Sequence, residues 1–348
     1  MDQPLIIAHR GASYLAPENT LAAFRKAKDL GADGVEMDVQ ETADGKLVIH
    51  HDYVIDFHTQ LSGNIYDMME GELRELDFGS WKNVDFFDEK IPTLPEALAV
   101  GGELDWMMVE LKSNVYPDPN FVPMTVRDIE NSGFMDKSIL IAFQHDLLRQ
   151  AKELAPDLRT GALIYGALEG VFLPPPVIWK DLGLTNGLEE EEDGLPVEDP
   201  DSPYWKLAGA QGLEAALTLA HDPAALDQDN GRLMRWANNQ LTMLQASFPG
   251  TDLWGILSNL AAQRDPAAYV RNMPFKPDYI SCEYHTAFVR PQVVEELHAL
   301  GVKVAFWTVD TRRVLRSLLP LGPDAIVTNR PDKIREWIWA EQHPEAEQ

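Results

Sequence analysis

Two histidine motifs near the start of the chain contain residue types that could act on a phosphate. The first is His9-Arg10-Gly11, the second is His51-Asp52, and each follows an apolar run. Glu36-Met37-Asp38 lies between them. Imidazoles exchange protons near neutral pH, carboxylates hold divalent cations, and arginine pairs with phosphate. This combination suits metal-assisted cleavage of a phosphodiester.

Strand geometry predicts that part of this set meets in a β-hairpin. Residues 35–42 and 46–50 have the composition of strands, and Asp44-Gly45 between them favours a two-residue turn. That turn sets Asp38 opposite His51, with Cβ atoms about 5 Å apart. The simpler alternative is a surface hairpin whose carboxylates are only solvated. A register shifted by one residue is a second alternative.

The alternation of side chains along a strand defines the two faces of this hairpin. Glu36 and Asp38 are two residues apart, so they point to the same face, and we expect them to cluster there with His51. His50 points to the opposite face and is expected to be structural. His58 is expected to be an ordinary surface or loop histidine.

A third carboxylate lies near the end of the apolar run 106–111. Glu110 and Lys112 share a face of that strand because they are two residues apart. Glu110 can complete a cation site, and the ammonium group of Lys112 can then bind a phosphate. Exposed glutamate and lysine are also common at strand ends, so this tripeptide is weak evidence by itself.

In the order and type of its motifs the chain resembles the glycerophosphodiester phosphodiesterase family. The resemblance extends over about residues 4–165 and 277–340. Ala142-Phe143 and Asn329 depart from the family's usual Ser-Phe and aspartate, which could alter the pocket wall. The motifs that carry the resemblance are His9-Arg10-Gly11, Pro17-Glu18-Asn19-Thr20, Glu36-Met37-Asp38, His51-Asp52, Ile91-Pro92-Thr93-Leu94, Val109-Glu110-Leu111-Lys112, Trp307-Thr308-Val309 and Thr328-Asn329-Arg330-Pro331.

The resemblance implies an α/β fold, a (β/α)8 TIM barrel with a small cap inserted after the His-Asp motif. It also implies hydrolysis of glycerophosphodiesters to sn-glycerol 3-phosphate and an alcohol, with one divalent cation. An all-oxygen ligand set favours Mg2+ or Ca2+ over zinc. Carried across by position, the catalytic acid–base pair is His9 and His51, the metal ligands are Glu36, Asp38 and Glu110, the phosphate-binding residues are Arg10 and Lys112, and Trp307 lines the pocket.

Two other functions remain open at this point. A lysophospholipase D uses the same chemistry on lysophospholipids, and an apolar groove beside the site would favour it. A catalytically silent barrel used for binding belongs to a different class. The full set of histidines, carboxylates and basic residues argues against the silent barrel.

Composition limits the partners of the chain. It has 348 residues with 56 acidic and 29 basic side chains, for a formal charge of −27. Such an acidic surface disfavours binding to nucleic acids and to anionic membranes, because both bind to basic surface patches. The single cysteine, Cys282, excludes an internal disulfide, and no apolar run reaches membrane-spanning length. The prediction is a cytoplasmic protein with a small-molecule substrate.

The chain 1–348 is predicted to be one barrel domain with two insertions. The first, 53–92, is the cap, and the second, 170–275, is an acidic linker followed by a helical block. The acidic run 189–193 is expected to be solvated, and the helices within 203–270 could form a lid, a homo-oligomer contact or a partner surface. The predicted barrel strands are 5–9, 33–39, 105–111, 138–142, 159–163, 278–282, 302–307 and 324–327.

Overall fold

Eight parallel strands form a closed barrel in the part of the chain that the computed structural model describes. The described residues are 3–112, 118–173, 203–222, 224–228, 231–247, 251 and 253–343. The predicted acidic run 189–193 lies outside them. The strands are β1 (Leu5–Ala8), β2 (Gly34–Glu41), β3 (Leu47–Ile49), β4 (Trp106–Leu111), β5 (Ser138–Ala142), β6 (Arg159–Ile164), β7 (Tyr279–Glu283), β8 (Lys303–Trp307) and β9 (Ala325–Thr328).

The order of strand pairing confirms the predicted (β/α)8 barrel. Parallel pairs run from β2 through β4, β5, β6, β7 and β8 to β9, and β1 pairs with both β9 and β2, which closes the wall. β3 is added antiparallel to β2. All eight predicted barrel strands are present within two residues of their predicted bounds.

Helices connect most of the barrel strands. Thr20 begins the first helix, because its hydroxyl accepts a hydrogen bond from the Ala23 backbone amide. None of the helices within the described ranges is long and apolar enough to cross a membrane. The helices are α1 (Leu21–Asp29), α2 (Glu70–Glu75), α3 (Leu94–Gly101), α4 (Phe121–Ser132), α5 (His145–Leu154), α6 (Leu168–Val171), α7 (Pro203–His221), α8 (Ala225–Gln228), α9 (Arg232–Ser247), α10 (Leu253–Ala262), α11 (Pro266–Asn272), α12 (His285–Val289), α13 (Val293–His298), α14 (Arg312–Leu318) and α15 (Pro331–Gln342).

Side chains alternate across the barrel wall, and this alternation positions the polar residues. Val35, Met37 and Val39 of β2 belong to the main apolar core. Their neighbours Glu36 and Asp38 therefore point to the opposite, inner face of the strand. Hydrophobic burial of the odd-numbered residues thus holds the two carboxylates inside the barrel.

The inner face changes from apolar to polar toward the carboxyl ends of the strands. Ile7 of β1 and Met108 of β4 belong to a separate inner apolar cluster. His9 and Glu110 lie two residues further along those strands and therefore face the same way. In barrels of this kind the carboxyl ends of the strands form the functional face.

The β2–β3 hairpin has a register different from the predicted one. Val39 pairs with Ile49, and the His50 amide donates a 2.9 Å hydrogen bond to the Asp38 carbonyl. His50, and not His51, therefore lies opposite Asp38. The predicted pairing of Asp38 with His51 was wrong by one residue.

The cause of this shift is the length of the turn. The loop contains three residues, 43–45, because the Thr42 amide donates to the Lys46 carbonyl at 2.9 Å. Gly45 has a φ of 69°, the left-handed conformation that closes three-residue hairpin loops. The sequence Asp-Gly suits both the predicted two-residue loop and the observed three-residue loop. Local composition therefore does not distinguish the two lengths.

Gly34, at the start of β2, lies where three strands meet. A Cβ atom there would be 2.5 Å from the Trp106 carbonyl oxygen and 2.8 Å from the Ile7 side chain. We expect Gly34→Ala to lower the free energy of unfolding by about 1–3 kcal/mol because the backbone must shift. Gly71→Ala in α2 is the control, since a Cβ there meets nothing within 4 Å. Chemical denaturation of both variants tests this, and equal stability of the two would contradict it.

Residues 53–92 enclose a small apolar core to which Val48 of β3 also belongs. The Trp81 indole N–H donates to the Phe78 carbonyl at 2.9 Å, and α2 contributes Leu73. Phe78 is the aromatic residue of this core, whereas Phe57 and Phe87 of the same segment are exposed. The buried members of this core are Val48, Ile55, Ile65, Leu73, Phe78 and Ile91.

The predicted helical block is present as α7 to α11, between β6 and β7. Its core includes Leu241 and Leu244 of α9 and also Val171 of α6. Phe143 and Tyr165, which follow β5 and β6, pack against this core. The helical block is therefore continuous with the rim of the barrel.

Candidate active site

Three carboxylates meet at the carboxyl ends of β2 and β4. Asp38 and Glu110 are direct partners in the parallel pairing of these strands, and Glu36 precedes Asp38 on the same face. One oxygen atom from each of the three lies within 4.8 Å of the other two. The sequence placed these residues together, and strand register supplies the reason.

The hydrogen bonds of these carboxylates leave one side of the cluster open. The Arg10 backbone amide donates to Glu36 Oε2 at 3.0 Å, and the Asn19 side-chain amide donates to Asp38 Oδ2 at 2.7 Å. The remaining oxygens, Glu36 Oε1 and Asp38 Oδ1, are buried without a hydrogen-bond partner. Buried unpaired oxygens are costly, and a hard divalent cation is a ligand that would satisfy them. The donor set therefore fits Mg2+ or Ca2+.

Burial together with neighbouring charges gives the three carboxylates different proton affinities. Burial, with the charges of Asp38 and Glu110 next, raises the pKa of Glu36 well above its usual range. Burial likewise raises the pKa of Glu110 to about 7. Asp38 is buried too, but Lys112 and Arg10 hold its pKa below the usual value. Without a cation, Glu36 and Glu110 therefore favour the protonated form, and a bound cation would favour the ionised form of both.

Two basic side chains border the carboxylates. Lys112 Nζ lies 3.3 Å from Glu110 Oε1 and 3.8 Å from Asp38 Oδ1. Arg10 Nε lies 3.6 Å from Asp38 Oδ2, and Arg10 Nη1 donates to Glu18 at 2.8 Å. Nearby carboxylates raise the pKa of both bases, so both stay charged at neutral pH. The arrangement places positive charge beside the cation ligands, where a phosphate anion could bind.

Hydrogen bonding fixes the tautomer of neutral His9. The Asn329 side-chain amide donates to Asp310 Oδ2 at 2.6 Å, which orients Asn329 Oδ1 toward His9. His9 Nδ1 lies 2.7 Å from that oxygen and must be the donor. The unprotonated Nε2 lies 4.0 Å from Glu36 Oε2, on the side of the carboxylates. His9 can therefore accept a proton at the cluster.

His51 is oriented in the same manner by a different carboxylate. Its Nδ1 lies 2.8 Å from Asp52 Oδ1, so Nδ1 carries the proton and Nε2 is the acceptor. The Gln40 side-chain amide donates to the carbonyls of His50, His51 and Asp52 at 2.7, 3.2 and 2.8 Å. These bonds, and not strand pairing, hold the turn that directs His51 into the site.

Burial lowers the proton affinity of both histidines. It lowers the pKa of His9 to about 4, and the charge of Arg10 adds to the effect. It lowers the pKa of His51 well below the usual range, with Lys112 the next contributor. Both imidazoles are neutral near pH 7 in the absence of an anion. A bound phosphate anion would raise both pKa values again.

A cavity of about 560 Å3 connects this polar cluster to an apolar wall. Phe143 stacks on Tyr165 with ring centroids 4.9 Å apart, and Trp307 contacts both rings edge-on. The Trp307 indole donates to the Ser281 carbonyl at 3.0 Å. The other apolar residues of the lining are Val54, Phe57, Ile141, Leu163, Val171, Leu244 and Val327.

The structure brings the predicted site residues together. Seven of the eight border one cavity, and Asp38 lies directly behind them in contact with Arg10 and Lys112. The roles of Asn19, Gln40 and Asp310 were not predicted from the sequence. Gln40 could have been found, because it is two residues beyond Asp38 on the same face of β2. The bordering residues are His9, Arg10, Glu36, His51, Glu110, Lys112 and Trp307.

Fold and site together define a (β/α)8-barrel protein with a carboxylate-rich polar site at the carboxyl ends of its strands. A model of the Glycerophosphoryl diester phosphodiesterase family matches residues 9–169 and 206–333. The match covers well over half of the chain. The chain therefore belongs to this family.

A named relative agrees with this assignment. A glycerophosphodiester phosphodiesterase of Caldanaerobacter subterraneus is 41% identical over 160 residues, which are 46% of this chain and 66% of the relative. The match thus spans just under two thirds of that relative's length, so its activity is a proposal for this chain.

Two solved structures have the same fold. A phosphodiesterase of Oleispira antarctica, in complex with the product sn-glycerol-3-phosphate, has a TM-score of 0.58 at 22% identity and covers 96% of both chains. A glycerophosphoryl diester phosphodiesterase structure from Silicibacter pomeroyi has a TM-score of 0.61 at 20% identity, covering 97% of this chain and 94% of the other. At such identities the likeness concerns the fold alone.

Proposed function

We propose that the protein is a metal-dependent phosphodiesterase that hydrolyses glycerophosphodiesters to sn-glycerol 3-phosphate and an alcohol. The observation that supports this most is the common cavity of two oriented histidines, a carboxylate cluster and two basic residues. A silent binding barrel has no need for buried carboxylates with unpaired oxygens, whose burial is costly. The Caldanaerobacter relative is named a glycerophosphodiester phosphodiesterase, and that name agrees with the proposed activity.

The carboxylates Glu36, Asp38 and Glu110 would hold the divalent cation. When bound, the cation supplies positive charge to a nonbridging phosphate oxygen and so favours attack at phosphorus. Arg10 and Lys112 bind the phosphate beside it, and their charge supplies the local attraction that a chain of net charge −27 lacks at long range. Asn19 holds one oxygen of Asp38 and leaves the other for the cation.

His9 and His51 move the protons of the reaction. One imidazole takes a proton through Nε2 from the attacking group, a water molecule or the substrate's own 2-hydroxyl, as the new oxygen–phosphorus bond forms. The other, protonated because the bound anion raises its pKa, gives its proton to the leaving alkoxide as the ester bond between that alkoxide oxygen and phosphorus breaks. When the 2-hydroxyl attacks, water then opens the cyclic phosphate to give sn-glycerol 3-phosphate. Asn329 and Asp52 keep each Nδ1 as a donor, so each Nε2 remains the group that exchanges protons.

The apolar wall favours a second candidate substrate, a lysophospholipid, for the same chemistry. The wall lies in the same cavity as the polar cluster, and Leu244 and Val171 of the helical core contribute to it. Such a cavity could hold a hydrocarbon chain as well as a small alcohol. We propose the 53–92 cap and the helical block as the elements that select between the two.

A screen of diesters against cations tests the proposed function. Purified protein freed of metal is given Mg2+ or Ca2+ and then glycerophosphocholine, glycerophosphoethanolamine or lysophosphatidylcholine. We expect turnover of the glycerophosphodiesters with at least one cation. Turnover of lysophosphatidylcholine alone would favour lysophospholipase D, and no turnover across the panel would favour the silent barrel.

Cation binding is expected to strengthen with pH because of Glu110. Its pKa is raised from 4.5 to about 7, so its contribution to stability is present below 4.5 and lost as pH rises through 7. A cation competes with that proton, and its affinity should rise roughly thirtyfold between about pH 5.5 and pH 8. Melting temperatures with and without cation should therefore differ more at the higher pH. Equal differences at both pH values would contradict this, and Glu110→Gln should flatten the dependence.

A further inference from the structure

A buried histidine outside the proposed acid–base pair lies between two carboxylates of the site. His58 lies in a turn, within the expected surface or loop position, but it is buried, with only 8% of its surface exposed. Its Nε2 is 3.9 Å from Glu18 Oε1, and its Nδ1 is 3.9 Å from Asp52 Oδ2. Both distances are too long for direct hydrogen bonds and short enough for one bridging atom.

Each of these carboxylates holds a residue that the proposed reaction uses. Glu18 accepts a 2.8 Å hydrogen bond from Arg10 Nη1. Asp52 lies 2.8 Å from His51 Nδ1. Glu18 therefore lies between His58 and Arg10, the proposed phosphate-binding residue. Asp52 lies between His58 and His51, one of the two proposed proton carriers.

The ring of His58 is held in place by aromatic neighbours. It contacts His50 edge-on at 5.0 Å between ring centroids and Trp81 at 4.6 Å. His50 is fixed in turn, because its Nδ1 bonds to the Asp52 carbonyl at 2.8 Å. Residues of the 53–92 segment are thus packed directly against the groups that orient the site.

A cavity of about 10 Å3 adjoins His58. That volume is close to the minimum for one water molecule. His50 Nε2 and His58 Nδ1 are buried there without a hydrogen-bond partner among the described residues. A cavity with two such nitrogens and a carboxylate offers a water the partners it needs. The lining comprises Glu18, Asn19, Thr20, Ile49, His50, His51, His58, Phe78, Trp81 and Ile91.

We propose that His58 is a positioning residue that acts with one water bound in this cavity. His58 lies between Glu18 and Asp52, and with this water it keeps both carboxylates in place and so keeps Arg10 and His51 aligned toward the same phosphate. This inference rests on the proposed function for its kinetic test, whereas the water site is testable by structure alone.

Two substitutions separate positioning from packing. His58→Phe keeps a ring against Trp81 but removes both nitrogens, and we expect kcat to fall about 10- to 100-fold, as for other outer partners of catalytic groups, with the melting temperature preserved. His58→Gln restores a donor and an acceptor and should recover much of the loss. His221→Phe, at an exposed histidine of α7, is the matched control and should leave kcat unchanged.

Crystal structures give a readout that does not require turnover. The wild type should show an ordered water bonded to His58 and His50, and His58→Phe should show Glu18 and Asp52 turned away from their partners. Full kcat in a folded His58→Phe variant, or a wild-type cavity without ordered water, would overturn the proposal. A wild type inactive on every diester would instead contradict the proposed function and leave the water site to the crystal structure.

Discussion

Replacing His51 by alanine is expected to lower kcat for glycerophosphodiester hydrolysis about 100- to 10,000-fold, the usual contribution of a positioned proton carrier. His9→Ala should have an effect of the same order. Because the two imidazoles act in one proton-transfer sequence, the double variant should lose little more than the worse single variant. Steady-state kinetics at saturating cation measure these losses, with His221→Ala as the exposed control.

The leaving group distinguishes the acid from the base. A diester with an activated phenol as leaving group needs no proton from the protein. The variant that lacks the acid should regain most of its rate on that substrate, whereas the variant that lacks the base should stay slow. Undiminished turnover of ordinary glycerophosphodiesters by either alanine variant would remove that histidine from the mechanism.

Replacing Glu36 by glutamine is expected to abolish most activity by weakening the cation site. Glu36 Oε1 is a buried, unpaired oxygen of the cluster, and an amide there provides no negative charge for the ion. We expect cation affinity to fall by at least about 10- to 100-fold, the loss seen even for outer partners of metal sites. Calorimetric titration of metal-free protein with Mg2+ and Ca2+ measures that affinity directly.

The same strand provides a matched control for this substitution. Glu41 lies at the end of β2, an odd number of residues from Glu36, and so points to the other face. Glu41→Gln should keep both cation affinity and turnover. Equal affinities in the wild type and in Glu36→Gln would show that the cluster is not the metal site.

The resemblance to the family implied the barrel, and local signals in the sequence located its strands. Most of the parallel strands are rich in apolar residues, and alternation within β2 and β4 places Glu36, Asp38 and Glu110 on one face. The family motifs then supplied the order of the strands.

Two features could be learned only from the structure. They are the register of the hairpin and the contacts that orient the histidines. The Asp-Gly pair is compatible with a hairpin loop of either two or three residues. Only the observed hydrogen bonds show that the loop has three residues, with Gly45 in the left-handed conformation. The pairing of His9 with Asn329 joins positions 320 residues apart. The environment of His58 depends likewise on packing between distant segments.

The most direct test of the proposed function is phosphorus NMR of glycerophosphocholine incubated with metal-free protein before and after addition of Mg2+ or Ca2+. The proposal predicts no change before addition and, afterwards, conversion of the diester signal to that of sn-glycerol 3-phosphate. Hydrolysis at the same rate without cation, or release of phosphocholine in place of sn-glycerol 3-phosphate, would contradict it.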